Sequence, residues 1–308
     1  MYSLSFIWNP SEGIDLGFFV IRYYSLMFVI AFSIGWFITK KIFDKEGQTP
    51  DKMDSLFIYV VLATLIGARL GHVIFYQPEL FSQDFLSVFL PFRTVPEFEF
   101  TGFQGLASHG AAIGIIIAML LYSKKVIKKP ILWVLDRIVI AVASGAIFVR
   151  IGNFINSEII GIASGDFPLG VKFVQDGISK YQAVKATGLK NSSDAYTAIV
   201  NNPEYATLLD AIPFRHPAQL YESFGYIFVF LALWFLYWKT NKSKQMGFLL
   251  GTFFVLLWTV RFFVEFVKEA QVDGRDEWAL NTGQWLSVPF ILAGIYLIIT
   301  SKNRPVAS

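Results

Sequence analysis

Seven long apolar segments, at approximately 22–41, 54–77, 109–123, 131–150, 217–238, 246–266 and 283–300, constrain this chain more than any other feature. The bilayer core offers no water to backbone N–H and C=O groups, so a spanning segment of roughly 20 apolar residues must close its hydrogen bonds internally as a helix. Residues of hydrophobic type make up 55% of the chain and charged ones only 16%, which excludes an ordinary soluble domain. The expected fold class is an all-α integral membrane protein of about seven transmembrane helices with a small mixed extramembrane head domain. Met1 to Pro10 lack the basic start and small-residue cleavage site of a secretory leader, so the first apolar segment is expected to stay as an anchor.

The distribution of lysine predicts orientation. Lys40, Lys41, Lys45 and Lys52 follow the first segment, Lys124, Lys125, Lys128 and Lys129 the third, Lys239, Lys242 and Lys244 the fifth, and Lys302 and Arg304 the seventh. All of these lie on one side, which the positive-inside rule makes cytoplasmic. The N-terminus, the segments 78–108 and 151–216, and the turn 267–282 then face outward, with the C-terminus inside. The expected organisation is residues 1–161, carrying four helices and an arm at 78–108; a head at 162–213; and residues 214–308, carrying three helices. The arm, with Phe89, Pro91, Phe92, Pro96 and Phe98, suits a position at the membrane interface. The head is polar and mixed, with Asp166, Lys172, Asp176, Lys180 and a turn signal at Asn191–Ser193. Gly67 and Gly71 give the second helix a small-residue stripe that lets another helix approach. A net charge of +3 without a basic stripe argues against a nucleic-acid partner.

Polar and ionisable residues inside these segments are costly, roughly 2.5–3.5 kcal/mol for a central arginine, and therefore face protein or water. Tyr24, Arg69, His109, Arg150, Asn153, Asn156, Glu158, His216, Gln219, Glu222, Arg261, Glu265 and Gln284 nearly all fall toward the outward ends of their helices. That convergence predicts one outward-facing polar site. A solute path would instead place polar groups in both halves of the membrane, and here the inner half is apolar apart from Asp136 and Arg137.

Arg150-Ile151-Gly152-Asn153-Phe154-Ile155-Asn156-Ser157-Glu158 sits where the fourth helix emerges, with Gly161 closing the run. Its guanidinium, amides and carboxylate suit a phosphate clamp, and equally a snorkelling arginine followed by a turn. Arg261 and Glu265 lie one helical turn apart and either neutralise each other or aim the guanidinium at a phosphate. His109 opens the third helix as either a proton acceptor or a hydrogen-bonded helix-end residue. His216, ahead of Pro217 and Gln219, reads as a helix cap. Arg69 either binds lipid phosphate or snorkels, and Tyr24 either touches substrate or belongs to an aromatic belt. His72, His109 and His216 are the only histidines and show no metal-ligand spacing, so no metal is expected. Because there is no cysteine, thiol chemistry would have to use a substrate's sulfur.

In their order along the chain, the Tyr24 segment, Gly67–Tyr76, the His109 helix start, Arg150–Gly161, His216–Glu222 and Arg261–Glu265 resemble the prolipoprotein diacylglyceryl transferase family nearly end to end. The resemblance implies phosphatidylglycerol as lipid donor, the cysteine of a prolipoprotein lipobox as acceptor, and a thioether product with release of glycerol phosphate. It implies no cofactor, surrounding membrane lipid, and a place in the bacterial inner membrane with the site toward the periplasm. His109, Arg150, Asn153, Arg261 and Glu265 are then the expected catalytic residues. Tyr24, Arg69, Arg150, Asn156, Glu158, Gly161, His216 and Gln219 are the expected contacts to lipid and substrate. The chain differs from the family in Ala111, where a second glycine commonly follows the histidine, in Ser157, where glycine is frequent, and in a longer insertion before His216. A transporter or a lipid-binding scaffold is the competing expectation.

Overall fold

The computed structural model describes residues 4–17, 20–90, 92–95, 97–100, 105–165, 167–269 and 280–304. Pro91 and Pro96 of the arm, Asp166 of the head and most of the 267–282 turn lie outside the described residues.

Among the described residues, seven helices are long and apolar enough to cross a membrane: α1 (Tyr23–Lys45), α2 (Pro50–Tyr76), α4 (Ser108–Tyr122, continued by a π turn to Ile127), α5 (Ile131–Ile155), α10 (Ala218–Lys239), α11 (Phe248–Val264, continued as a 3₁₀ turn to Val267) and α12 (Thr282–Thr300). The protein is therefore the all-α membrane protein expected. The fourth apolar segment runs five residues further than its hydropathy predicts, to Ile155, and carries Arg150 and Asn153 in its last two turns. Between the long helices lie α3 (Leu80–Gln83), α6 (Val174–Gly177), α7 (Lys180–Thr187), α8 (Ser192–Asn201) and α9 (Ala206–Asp210). Among the described residues, three two-stranded sheets pair β1 (Phe6–Trp8) with β6 (Val171–Phe173), β2 (Gly13–Asp15) with β3 (Val20–Arg22), and β4 (Phe92–Arg93) with β5 (Glu99–Phe100).

The chain divides into two compact units, residues 36–138 and residues 1–35 with 139–308. In the first, α2 and α4 pack with almost no side chain between them. A Cβ on Gly67 would lie 2.6 Å from the Gly110 carbonyl oxygen and one on Gly71 2.5 Å from Gly110 Cα, so both positions require glycine for this approach. At the other end of this unit Arg137 is buried, pairs with Glu46 at 2.9 Å and stacks on Trp133, which explains how a charge survives among apolar residues. The arm is organised by Asp84. Its carboxylate accepts the Ser87 hydroxyl at 2.5 Å and the Thr94 N–H and hydroxyl at 2.6 Å each, which hold the carboxyl well below the usual carboxylate range.

In the second unit, residues 174–212 bury a cluster of Val174, Ile178, Ala183, Ala195, Tyr196, Ile199 and Ile212. Ser179 and Gln182 cap α7 reciprocally. The Asn191–Ser193 stretch, expected as a turn, is instead the start of α8, where the Asn191 side chain accepts the Ser193 N–H at 2.8 Å. Parallel pairing of β1 with β6 joins the start of the chain to this region.

Candidate active site

The site is assembled in the second unit from the upper turns of α5, α10 and α11. On α5, Arg150 NH1 donates to Asn153 Oδ1 at 3.4 Å, and Asn153 Nδ2 donates to Glu158 Oε2 at 3.2 Å. Asn156 Nδ2 donates to the other oxygen of Glu158 at 3.2 Å. Tyr24 on α1 stands beside the Asn153 side chain. The Arg150-to-Glu158 run is thus a closed amide–carboxylate lattice, in which Asn153 is the buried centre.

After α5 the backbone turns through Ser157 (φ 55°) and Ile159 (φ 57°), both left-handed. That region is rare for residues other than glycine, and rarer still for a β-branched side chain. The turn delivers Ile160–Ile162 into a clasp of three segments. Gly161 N–H bonds the His216 carbonyl (2.9 Å), His216 N–H the Ile162 carbonyl (3.0 Å), Ile162 N–H the Val267 carbonyl (3.0 Å), and Glu269 N–H the Ile160 carbonyl (3.2 Å). A Cβ at Gly161 would lie 2.5 Å from the Val267 carbonyl oxygen and 2.6 Å from His216 Cβ, so only glycine lets the segments meet.

Helix α10 presents Gln219, Glu222, Ser223 and Tyr226 as one buried stripe at spacings of three and four residues. Gln219 Nε2 donates to the Glu158 carbonyl at 2.5 Å. Glu222 pairs with Arg150 Nε at 2.6 Å and lies 3.9 Å from Lys268 Nζ. Lys268 in turn binds Glu265 at 2.8 Å. Arg261 stands 4.0 Å from Glu265, rests on the Trp258 ring, and keeps an Nε–H with no hydrogen-bond acceptor among the described residues. Of the two readings open for Arg261, mutual neutralisation is the weaker, since Lys268 is the close partner of Glu265. The backbone carbonyl of Glu265 accepts Asn281 Nδ2 at 2.9 Å, and Asn281 and Gln284 form the capping box of α12.

His216 departs from its expected role. Residue Pro217 is the N-cap of α10 and no side chain caps it. The His216 imidazole instead meets the Tyr221 hydroxyl at 3.2 Å through Nδ1 and packs on Phe167, and burial lowers its pKa from the ordinary imidazole value. Tyr24, Arg150, Asn153, Asn156, Glu158, Gly161, His216, Gln219, Arg261 and Glu265 all belong to this unit, whereas His109 and Arg69 belong to the unit of residues 36–138. His109 is exposed in the first turn of α4, against the rings of Phe75 and Tyr76. The Arg69 guanidinium donates to the backbone carbonyls of Ser87, Val88 and Gly105 and so fastens the arm to α2.

Of the charged members of the cluster, Glu222 was placed in the polar site from sequence without a catalytic or binding role, and Lys268 was not placed there at all. Glu222 carried a signal, because it shares a helical face with Gln219; Lys268 had only its three-residue spacing from Glu265, in a segment that reads as a turn.

A model of the prolipoprotein diacylglyceryl transferase family matches residues 12–300. Over 298 residues the chain is 38% identical to the phosphatidylglycerol–prolipoprotein diacylglyceryl transferase of Bacteroides fragilis, spanning 96% of this chain and 95% of that one. It is 34% identical over 298 residues to the protein of the same name from Tolumonas auensis, spanning 96% and 98% of the two chains. With the Porphyromonas gingivalis protein of that name it shares 35% identity over 292 residues, 93% of this chain and 90% of the other. On matches of this extent, the chain belongs to the prolipoprotein diacylglyceryl transferase family.

Proposed function

We propose that the protein transfers the diacylglyceryl group of phosphatidylglycerol to the thiol of a prolipoprotein lipobox cysteine. The relatives named above carry the two substrates in their names. The single observation that carries the reading to residues is Arg150, anchored through Nε to buried Glu222 while NH1 reaches Asn153, so that a guanidinium is held in one pose beside a row of amides.

In the reaction, the cysteine sulfur forms a bond to the glyceryl methylene carbon while the carbon–oxygen bond to phosphate breaks. The electron pair leaves with glycerol phosphate, whose phosphate gains a unit of negative charge. Arg150 and Arg261 meet that charge with fixed, planar donors, which is where positioned cations lower a barrier most. Asn153 and Asn156 orient the headgroup, Glu158 holds both amides, and Tyr24 and Gln219 border the same lattice. His109, which belongs to the unit of residues 36–138, is the proposed acceptor of the thiol proton. Gly161 and His216 keep the clasp closed, and Arg69 secures the arm near the lipid headgroups.

The site faces the periplasm of a bacterial inner membrane, with the N-terminus outside; the lysine asymmetry supports this orientation. Purified protein, mixed with phosphatidylglycerol and a lipobox peptide, is expected to add the mass of one diacylglyceryl group to the peptide and to release glycerol phosphate. A peptide that keeps its mass under all lipid conditions would refute the reading. For orientation, a single cysteine replacing Ser192 is expected to react only from outside and one replacing Ser243 only from inside.

A further inference from the structure

We infer that Lys268 is a positioning residue for the transfer reaction, holding the two carboxylates that aim Arg150 and Arg261. The inference rests on the function proposed above and extends it to a residue for which the motifs assign no role.

Five charges run in an unbroken alternating chain: Arg150, Glu222, Lys268, Glu265, Arg261. The links are 2.6 Å, 3.9 Å, 2.8 Å and 4.0 Å. Lys268 is the middle link, and its side chain is 3% exposed, while that of Glu222 is 1% exposed. Neither oxygen of Glu222 receives an aligned hydrogen bond from the described groups, so its buried charge is held by Arg150 on one side and Lys268 on the other. Isolated buried carboxylates are costly enough to take up a proton instead. Without Lys268, Glu222 and Glu265 would become two buried carboxylates facing the gap that the ammonium had filled, and Arg150 would lose the full charge of its anchor.

The backbone of Lys268 is fixed independently of its side chain. It bridges Gly161 within the clasp, between Val267 and Glu269, which bond Ile162 and Ile160. The ammonium is thus placed by two restraints that do not depend on substrate. Preorganisation of this kind costs no rearrangement when charge develops in the transition state.

The charge count points to what the arrangement favours. Three cations stand against Glu222 and Glu265 in this chain and against Glu158 beside Asn153, so the site is balanced and removing Lys268 leaves it one unit more negative. A phosphodiester headgroup carries one negative charge and becomes a phosphomonoester with about two as the glyceryl–oxygen bond breaks. A cation removed from the site is therefore missed more in the transition state than in the bound lipid, so loss of Lys268 lowers kcat more than it raises KM.

The test compares Lys268→Met and Lys268→Arg with the parent protein, in the mass-read transfer assay with phosphatidylglycerol and a lipobox peptide. Rates are expressed per folded molecule, from the thermal unfolding transition in the same detergent. Lys268→Met is expected to lose 10- to 100-fold in kcat, the range typical when a residue that orients catalytic ligands is removed, with KM for the lipid changed less than threefold. Lys268→Arg, which keeps the charge, is expected to recover kcat to within about fivefold of the parent. A purely structural lysine would lower the amount of folded protein and leave kcat per folded molecule intact. If Lys268→Met does not accumulate, Lys268→Gln, of shorter reach and uncharged, carries the same thresholds. Parent-like kcat in the uncharged variant would overturn the inference while leaving the proposed reaction standing. Absence of product from the parent protein would instead remove the reaction itself.

Discussion

Replacement of Ser157 by glycine should make the protein more stable, an uncommon direction for a single substitution. Ser157 has φ 55°, and a side chain in that region costs roughly 1–2 kcal/mol. Its hydroxyl is buried and finds no partner among the described groups, which adds a penalty of about 1 kcal/mol, at the low end for an unsatisfied neutral group. Against these gains, glycine loses about 0.5–1 kcal/mol more backbone entropy on folding. The balance is a stabilisation on the order of 1–2 kcal/mol, which raises the unfolding midpoint of a chain this long by about 3 °C. Thermal unfolding in one detergent, followed by tryptophan fluorescence, measures it. The transfer rate should stay within about twofold, because the serine oxygen bonds neither Asn153 nor Glu158. Ser157→Val is the counter-test: a β-branched side chain in the same backbone region should lower the midpoint instead. An unchanged or lowered midpoint for Ser157→Gly would show that the turn after α5 stores no strain.

Gly161→Ala should open the clasp, since its Cβ would meet the Val267 carbonyl and His216 backbone; the expected cost is about 1–3 kcal/mol from overpacking, with transfer reduced more than tenfold, and near-parental values in both assays would count against the close approach. Arg261→Lys keeps charge but loses the planar fork, and transfer should fall about 100-fold or more, the cost of one positioned donor. The double change Arg261→Gln with Glu265→Gln should remain inactive at normal abundance; recovered transfer would make Arg261 a structural partner of Glu265. Asp84→Asn removes the anionic acceptor that Ser87 and Thr94 share, so limited proteolysis should cut faster between residues 84 and 94. Because folding holds the Asp84 carboxyl below its ordinary value near 3.9, its contribution is complete above that pH and fades as pH falls, and the variant should flatten that acid-side loss.

The seven helices and the all-α membrane class were legible because hydropathy and the need to satisfy backbone groups in lipid act locally along the chain. The glycine stripe on α2 was legible for a similar reason, since small residues at four-residue spacing imply an approach whatever the partner, which proves to be Gly110 on α4. The candidate residues of Arg150–Gly161 were also nameable from sequence, through the rarity of polar groups in apolar helices and the order of motifs. Their partners were not. Glu222 is 72 residues from Arg150 and Lys268 is 46 residues from Glu222, and no local period encodes which cation meets which carboxylate. Arg69 showed only an expensive charge; its use in holding the arm depends on carbonyls at Ser87, Val88 and Gly105 that fold back onto α2. His216 had the position of a cap, but the geometry of Pro217 and the nearness of Tyr221 redirected its ring. The left-handed turn at Ser157 and Ile159 likewise runs against both residues' own preferences, and the bonds of the three-segment clasp on its far side hold it. Local chemistry thus determined which residues must be hidden from lipid, while the pairing of those residues was decided by long-range packing, because an ion pair is specified by where two helices bring their ends and not by the sequence of either one.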